Sequence, residues 1–377
     1  MSVWQWVCGQ QKAIETLQAA AENPAQMTHA WLLTGPPGSG RSLVAKAFAA
    51  TLQCPQKGCG DCNVCSSVFS GAHPDVKLVA TDKVTIAIDE VRELITLASQ
   101  SPSTSNWRII IIEDADRMLE RSTNVLLKAI EEPPPKTVWI LCAPSPNDVL
   151  VTIRSRTRNV ALVTPSVAEV VSVLTGRDGI DASMAQRCAQ ISQGHIGVAR
   201  QLAFDASAQD FRRKTLALAT QNKTVAQCIV NAGKIHELAK ERAGNESQAR
   251  DEAEREKYLR DLGLGDAKRL PPSARASLKV FSDDQKRRAT RRQRDILDLV
   301  FSYLITYYRD VLLLKLQTGI DAINADLSAE LEVASKSLSE TQALANVSAC
   351  EQARVRLQGN VTPLLLVEDL LLKLKTS

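Results

Sequence analysis

A glycine-rich segment between a strand pattern and a helical pattern constrains this fold most. It reads Gly35-Pro36-Pro37-Gly38-Ser39-Gly40-Arg41-Ser42, follows the apolar run 30–34 and opens a helical pattern over 43–52. A strand, a glycine loop and a helix in this order are typical of a phosphate-binding loop, where backbone N–H groups and the helix N-terminus surround phosphates. The segment therefore predicts a nucleotide site in an α/β domain.

Four more apolar runs, at 76–80, 108–112, 138–143 and 160–163, alternate with helical patterns. Such alternation predicts a parallel sheet flanked by helices. Thr164-Pro165 ends the pattern, short helices are expected to about residue 200, and no strand pattern follows residue 205. We therefore expect three domains: an α/β domain over 1–165, a small helical domain over 166–205 and an all-helical domain over 206–377.

Composition agrees with a folded chain and says little about partners. Hydrophobic residues make up 44% and charged residues 23%, which excludes disorder throughout, and the net charge is only +4. No basic stretch precedes an apolar run at the N-terminus, and the apolar segment 296–314 is interrupted by Asp298, Arg309 and Asp310. We therefore expect a cytoplasmic protein.

Arg41 departs from the usual loop pattern, in which a lysine stands before the serine or threonine. Arginine keeps the charge but presents a planar fork where a compact ammonium normally reaches the phosphates. Ser42 is a candidate Mg²⁺ ligand. Two interpretations stay open: the loop holds ATP or ADP with Mg²⁺, or it keeps its shape and holds nothing.

Two carboxylates, Glu113 and Asp114, follow the apolar run 108–112. In nucleotide hydrolases one acid at this position holds Mg²⁺ and the next activates water, usually in the order Asp-Glu. The order here is reversed, which displaces each carboxylate by about 1 Å, enough to cost a large factor in rate. Two acids after a strand are also common as a solvated strand end, but beside the loop they favour a site.

Four of the nine cysteines, Cys54, Cys59, Cys62 and Cys65, lie within twelve residues. Their spacing suits one loop wrapped around a tetrahedral Zn²⁺, and glycines between them permit the turns. An iron–sulfur cluster and free thiols are the alternatives. We favour structural zinc because the domain has no other redox signature, and we expect the scattered cysteines to be inert.

Several motifs then match a known family, in this order: Met27-Thr28-His29-Ala30-Trp31, the four cysteines, His73-Pro74-Asp75, Ile88-Asp89-Glu90-Val91-Arg92-Glu93-Leu94, Asn124-Val125-Leu126-Leu127-Lys128-Ala129-Ile130-Glu131-Glu132-Pro133-Pro134 and Thr152-Ile153-Arg154-Ser155-Arg156-Thr157. The chain resembles the delta-prime type of clamp-loader subunit of bacterial DNA polymerase III, an AAA+ family. The likeness is dense over 1–165, looser to about 205, and thin beyond, except at 360–372.

The resemblance implies a RecA-like AAA+ domain, a helical lid and an all-α collar. It also implies a hetero-pentamer with delta and tau/gamma subunits, which acts on a sliding clamp and primed DNA. Ser155-Arg156-Thr157 resembles the family's Ser-Arg-Cys motif, whose arginine reaches ATP on the neighbouring subunit as an arginine finger. The alternative for Arg156 is a plain surface cation.

Departures from the motor subunits of the same family favour a non-hydrolysing role. Gly197 stands where the motor's lid carries a sensor arginine, and Ala143-Pro144 replaces its sensor hydroxyls. We expect weak or absent ATPase in the isolated chain and a stator role in the assembly. A tau/gamma-type motor, a stand-alone AAA+ ATPase and a scaffold without nucleotide are the alternatives.

The helical C-terminal part contains a basic run at 286–294 with six cations. Phosphate contact and a solvated helix face are both compatible with it, and we favour the second. Apolar and tyrosine residues at helical spacing follow over 296–308, a pattern typical of helix–helix packing.

Overall fold

A computed structural model describes residues 2–79, 85–261, 272–359 and 361–374. The chain forms two compact units, Met1–Ala203 and Phe204–Ser377. Within these residues, the first unit contains five strands: β1 Ala30–Thr34, β2 Val76–Val79, β3 Arg108–Ile112, β4 Thr137–Ala143 and β5 Arg158–Ala161. Its helices are α1 Gln11–Glu22, α2 Arg41–Gln53, α3 Asn63–Ser70, α4 Ile88–Ala98, α5 Glu120–Glu131, α6 Val151–Arg154, α7 Val167–Gly176, α8 Ala182–Ile191 and α9 Ile196–Phe204, the last reaching the unit border.

The five strands form one parallel sheet in the order β2-β3-β4-β1-β5. Alternate residues of each central strand enter two separate cores: Trp31 and Leu33 pack on the face covered by α1 and α2, whereas Ala30 and Leu32 pack on the face covered by α4 and α5. Both faces are buried, which explains why the strands read as continuous apolar runs. The expected α/β fold with a parallel sheet is confirmed, and the expected helices follow it.

The last strand differs from the expectation, which placed it at 160–163. Strand β5 begins at the polar residues Arg158 and Asn159, and three of its four residues are exposed because β5 is an edge strand. Asn159 accepts a hydrogen bond from Thr34, and Arg158 donates to the Gln26 carbonyl. An edge strand pairs on one side only, so apolarity was a poor guide to its start. For the run 76–80, Ala80 lies outside the described residues.

A buried polar cluster closes the sheet edge at which β2 and β3 begin. Asp75, fully buried, accepts backbone N–H bonds from Ser103, Thr104 and Ser105 at 2.7, 2.8 and 3.1 Å, and lies 3.1 Å from Arg108. Because parallel strands share one direction, this edge is opposite to the edge that carries the glycine loop. The His73-Pro74-Asp75 motif is therefore structural here.

The described residues of the second unit form helices and no strand: α10 Ala206–Thr220, α11 Val225–Asp261, α12 Pro272–Lys315, α13 Ser328–Ser337, α14 Glu340–Gln358 and α15 Pro363–Leu374. Of the expected packing pattern, Ile296, Val300, Tyr303, Leu304, Tyr307 and Tyr308 are buried. No helix in the described part of the chain has the length and apolarity of a membrane span. The division into three domains, with borders at 165 and 205, remains a prediction.

Arg294, the last cation of the basic run, has a structural role that the sequence analysis did not foresee. Its guanidinium donates to the carbonyl oxygens of Leu357, Gly359 and Val361, where α14 ends. Carbonyls at a helix C-terminus lack intrahelical partners, and a cation there satisfies them. The side chains of Lys286, Arg287 and Arg288 lie outside the described residues, so phosphate contact by the run stays a hypothesis.

Candidate functional site: glycine loop, cysteine cluster and exposed arginine

The glycine loop lies between β1 and α2, as predicted. Gly38 and Gly40 have φ of 87° and 85°, a left-handed conformation that other residues adopt at a cost, and Gly40 directly precedes α2. The loop holds the predicted residues Gly35, Pro36, Pro37, Gly38, Ser39, Gly40, Arg41 and Ser42 in this strand–loop–helix connection. Its shape is therefore that of a phosphate-binding loop.

Arg41 does not extend away from the loop. Its guanidinium donates a hydrogen bond back to the Gly35 carbonyl oxygen at the start of the loop. Ser39, also in the loop, has a buried hydroxyl without a hydrogen-bond partner among the described residues. The cation of Arg41 is therefore hydrogen-bonded within the loop, whereas the Ser39 hydroxyl has no hydrogen-bond partner among the described residues.

The two predicted carboxylates follow β3 at the same sheet edge. The Glu113 backbone N–H donates to Val79, and the Asp114 carboxylate lies 3.9 Å from Arg117. Sequence reasoning missed a third acid, Asp116, on the turn Ala115–Arg117. Burial and the nearby Asp114 charge raise the pKa of Asp116, and its Oδ1 is buried without a hydrogen bond in the described part of the chain. The sequence signal that could have identified Asp116 was a third carboxylate two residues after Asp114.

His195 from the turn before α9 packs on the loop. A Cβ placed on Gly38 would lie 2.6 Å from the His195 ring, so only glycine fits beneath it. Burial lowers the pKa of His195, and its Nδ1 accepts the Val198 N–H at 3.3 Å, which places the proton of the neutral ring on Nε2. Gly197 offers no side chain, as the sequence indicated, but the neighbouring histidine was missed.

Gln10 is a second residue that sequence reasoning missed. Its buried side-chain amide donates to the Ser39 carbonyl at 3.1 Å and the Val163 carbonyl at 2.6 Å. The same amide accepts the Val163 N–H at 3.0 Å. Gln10 therefore joins the glycine loop to the segment that leaves β5.

The four clustered cysteines converge as predicted. Their sulfur atoms all lie within 4.8 Å of one another, with Cys54 3.8 Å from Cys59 and 3.6 Å from Cys62. Four sulfurs bound at about 2.3 Å to a tetrahedral Zn²⁺ would be about 3.8 Å apart. The cluster of Cys54, Cys59, Cys62 and Cys65 therefore has the dimensions of a closed four-thiolate metal site.

Backbone amides around the cluster favour thiolates. Gly60 and Cys65 donate N–H groups to the sulfurs of Cys65 and Cys62, each at 3.4 Å. Burial alone would raise the pKa of Cys54, but hydrogen bonds from the backbone at Cys59, Gly58 and Gln56 outweigh it and lower the pKa to about 6. Burial instead raises the pKa of Cys65, so a metal must displace the proton of that thiol. Thiolate is the form that binds a metal, and the set of four sulfurs fits zinc.

Arg156 lies just after α6, and its side chain is 40% exposed. Nε is 2.6 Å from Glu131 Oε1, and Nη1 donates to the Thr152 carbonyl and the Ser155 hydroxyl at 3.0 and 3.2 Å. The guanidinium is thus on the surface but held by groups of α5 and α6. It does not join the other predicted site residues around the glycine loop in any contact among the described residues.

Comparison with known proteins finds relatives of the α/β part of the chain. Residues 9–166 match the family model described as "DNA polymerase III, delta subunit". The chain is similar to the DNA polymerase III subunit delta' of Pseudomonas aeruginosa, at 34% identity over 38% of this chain and 46% of that protein. It is also similar to the subunit gamma/tau of Mycobacterium tuberculosis H37Rv, at 34% identity over 41% of this chain and 27% of that protein.

Among solved structures, a DNA polymerase III gamma subunit-related protein of Thermotoga maritima has a TM-score of 0.41 and 16% identity, over 92% of this chain and 99% of that one. The chain spans less than half of the length of the two curated relatives named above. The matches over residues 9–166 support a relationship of this part of the chain to DNA polymerase III clamp-loader subunits.

Proposed function

We propose that the chain is a delta-prime-type clamp-loader subunit that supplies Arg156 to the ATP site of a neighbouring motor subunit. The observation that carries this proposal is the exposed guanidinium of Arg156, anchored on its own chain through Nε and Nη1. Among the described residues, none accepts a hydrogen bond from Nη2. A fixed cation of this kind stabilises the charge that develops on a γ-phosphate.

The chain's own nucleotide site is proposed to bind ATP or ADP weakly and to hydrolyse it negligibly. Arg41 is hydrogen-bonded to Gly35, so its charge is turned toward the loop's own carbonyl. The acids Glu113 and Asp114 stand in reversed order, and Gly197 provides no sensor cation. A subunit with these features acts as a stator, which presents a surface to the motor without turning over nucleotide itself.

The cluster of Cys54, Cys59, Cys62 and Cys65 holds one structural Zn²⁺, because no open coordination position remains once four thiolates bind. The helical unit forms the collar of a hetero-pentamer with delta and tau/gamma subunits. Contact with the sliding clamp and primed DNA occurs through that assembly.

The test is the ATPase of a reconstituted loader in the presence of clamp and primed DNA. We expect Arg156→Ala to lower this rate by at least about tenfold, less than the 10³–10⁵ seen when GTPases lose an arginine finger, because other ATP sites remain intact. Arg92→Ala is a matched control, since Arg92 is also exposed and ion-paired, with Asp89 at 3.0 Å. An unchanged rate for Arg156→Ala in a complete complex would leave Arg156 a surface cation.

A tau/gamma-type motor is the second candidate, because the match to the Mycobacterium gamma/tau subunit has the same identity as the match to the Pseudomonas delta' subunit. A motor hydrolyses ATP at its own loop. Turnover by the purified chain at about 1 s⁻¹, the low end of ordinary enzymes, would favour the motor over the stator.

A further inference from the structure

Glu131 is the residue whose contact with Arg156 is shortest. It is the last residue of α5, and its Oε1 lies 2.6 Å from Arg156 Nε. The side chains are 44% and 40% exposed, so water screens the pair and little stability is expected from it. A contact with little value for stability still restricts where the guanidinium lies.

The geometry divides the five N–H groups of the guanidinium into two sets. The Nε side faces Glu131, and Nη1 donates to Thr152 and Ser155. No described residue accepts a hydrogen bond from Nη2, so its two N–H groups can still donate to another acceptor. A planar guanidinium held at two of its nitrogens has one remaining nitrogen with a defined direction.

We propose that Glu131 is a positioning residue for Arg156, which fixes the guanidinium so that Nη2 is presented to the phosphate of a nucleotide on an adjoining subunit. This inference rests on the proposed function of Arg156. An arginine side chain is flexible, and ATP hydrolysis slows when a cation that must occupy one position is free to move. Glu131 acts through Arg156 and does not itself touch nucleotide.

The variants are Glu131→Ala and Glu131→Gln, with Glu132→Ala as the matched control. Glu132 has the same charge, is exposed at the same helix end and forms no ion pair with Arg156. Each variant is assembled into the complete clamp loader, and kcat and KM for ATP are measured with clamp and primed DNA. We expect Glu131→Ala to lower kcat by about tenfold without a matching change in KM.

Glu131→Gln should recover most of that loss, because its side-chain oxygen can keep a polar contact with the guanidinium, whereas Glu132→Ala should be indistinguishable from wild type. The double variant Glu131→Ala with Arg156→Ala should be no slower than Arg156→Ala alone, since Glu131 has no effect except through the arginine. A merely structural role would add a further loss in the double variant.

The two proposals fail in different ways. If Arg156→Ala slows the complex but Glu131→Ala does not, or accelerates it, Glu131 is not a positioning residue, and acceleration would mean that it competes with phosphate for the cation. If Arg156→Ala leaves the rate unchanged, the proposed function itself is wrong. A double variant slower than Arg156→Ala would also overturn the positioning role.

Discussion

The guanidinium of Arg41 donates a hydrogen bond to the carbonyl oxygen of Gly35, six residues earlier in the same loop. A lysine at this position would carry its charge on a compact ammonium at the end of a flexible stem. The arginine instead spans the loop and satisfies one of its carbonyls. The identity of this single side chain therefore decides whether the loop's cation is directed at phosphate or at the protein.

Arg41→Lys should bind ADP at least about tenfold more tightly than wild type. The lysine ammonium can approach the phosphates, whereas the arginine guanidinium is already hydrogen-bonded within the loop. Turnover should rise much less, since the reversed acids Glu113 and Asp114 remain. Calorimetric titration with MgADP and steady-state ATPase assays measure the two effects. Arg41→Ala is the control and should not gain affinity; equal affinity of Arg41→Lys and wild type would contradict the prediction.

The purified chain should contain about one zinc per molecule by elemental analysis. Cys59→Ser should abolish binding and lower the thermal unfolding midpoint, because metal binding contributes to folding free energy. Cys8→Ser is the control: Cys8 is outside the cluster, and burial raises its pKa to about 11, so it remains a thiol. Iron in place of zinc, or no metal in protein prepared without chelator, would refute this prediction.

Zinc should be released on acidification. Thiolates must take up protons before the metal leaves, and the pKa of Cys54 is lowered to about 6 even without metal. Zinc release followed with a chromogenic chelator should therefore increase as pH falls, because protons compete with Zn²⁺ for the four sulfurs. Release that is independent of pH would argue against thiolate ligands.

Asp75→Ala should lower the free energy of unfolding by about 3 kcal/mol, because it removes a buried acceptor and leaves Arg108 without its carboxylate. Burial raises the pKa of Asp75, but hydrogen bonds from Ser103 and Thr104 outweigh it and hold the pKa well below the ordinary 3.8. The carboxylate's contribution is thus full above that value and decreases as pH falls below it. Urea unfolding of both proteins at neutral pH and near pH 3 measures this.

The control for Asp75 is Asp89→Ala, since Asp89 is 81% exposed in its ion pair with Arg92. It should change stability by no more than about 0.5 kcal/mol. A loss at Asp75 no larger than at Asp89 would show that the buried cluster does not stabilise the sheet edge.

Gln10→Glu should destabilise the chain by about 2 kcal/mol at neutral pH, because a carboxylate cannot donate to the Ser39 and Val163 carbonyls. Protonation restores one donor, so the stability difference from wild type should shrink as pH approaches 4. Thermal melts of both proteins across this range test it, with the exposed Gln11→Glu as control. A difference that does not vary with pH would contradict the proposed bonding of Gln10.

The predictions from sequence succeeded where the determining contacts are local. The glycine loop, the strand before it and the four cysteines are each defined within about a dozen residues, and the structure brings each group together. Gln10 could not be found in this way, because its partner Val163 is 153 residues away. His195 likewise reaches Gly38 only through the folded chain.

Other expectations were incomplete because one sequence pattern can arise from several structural causes. A basic run predicts exposed charge, yet Arg294 serves the end of α14 through three carbonyls. An apolar run predicts a strand, yet β5 begins before its run because an edge strand tolerates exposed polar side chains. Tertiary contacts determine both the role of Arg294 and the start of β5, and a single sequence does not display such contacts.

Helix α2 begins at Arg41 in the glycine loop and ends at Gln53, immediately before Cys54. Its 13 residues form one rigid rod of about 20 Å. Inserting one residue would rotate Cys54 by about 100° around the helix axis relative to the loop. The spacing between loop and cysteines is consequently intolerant of single insertions or deletions.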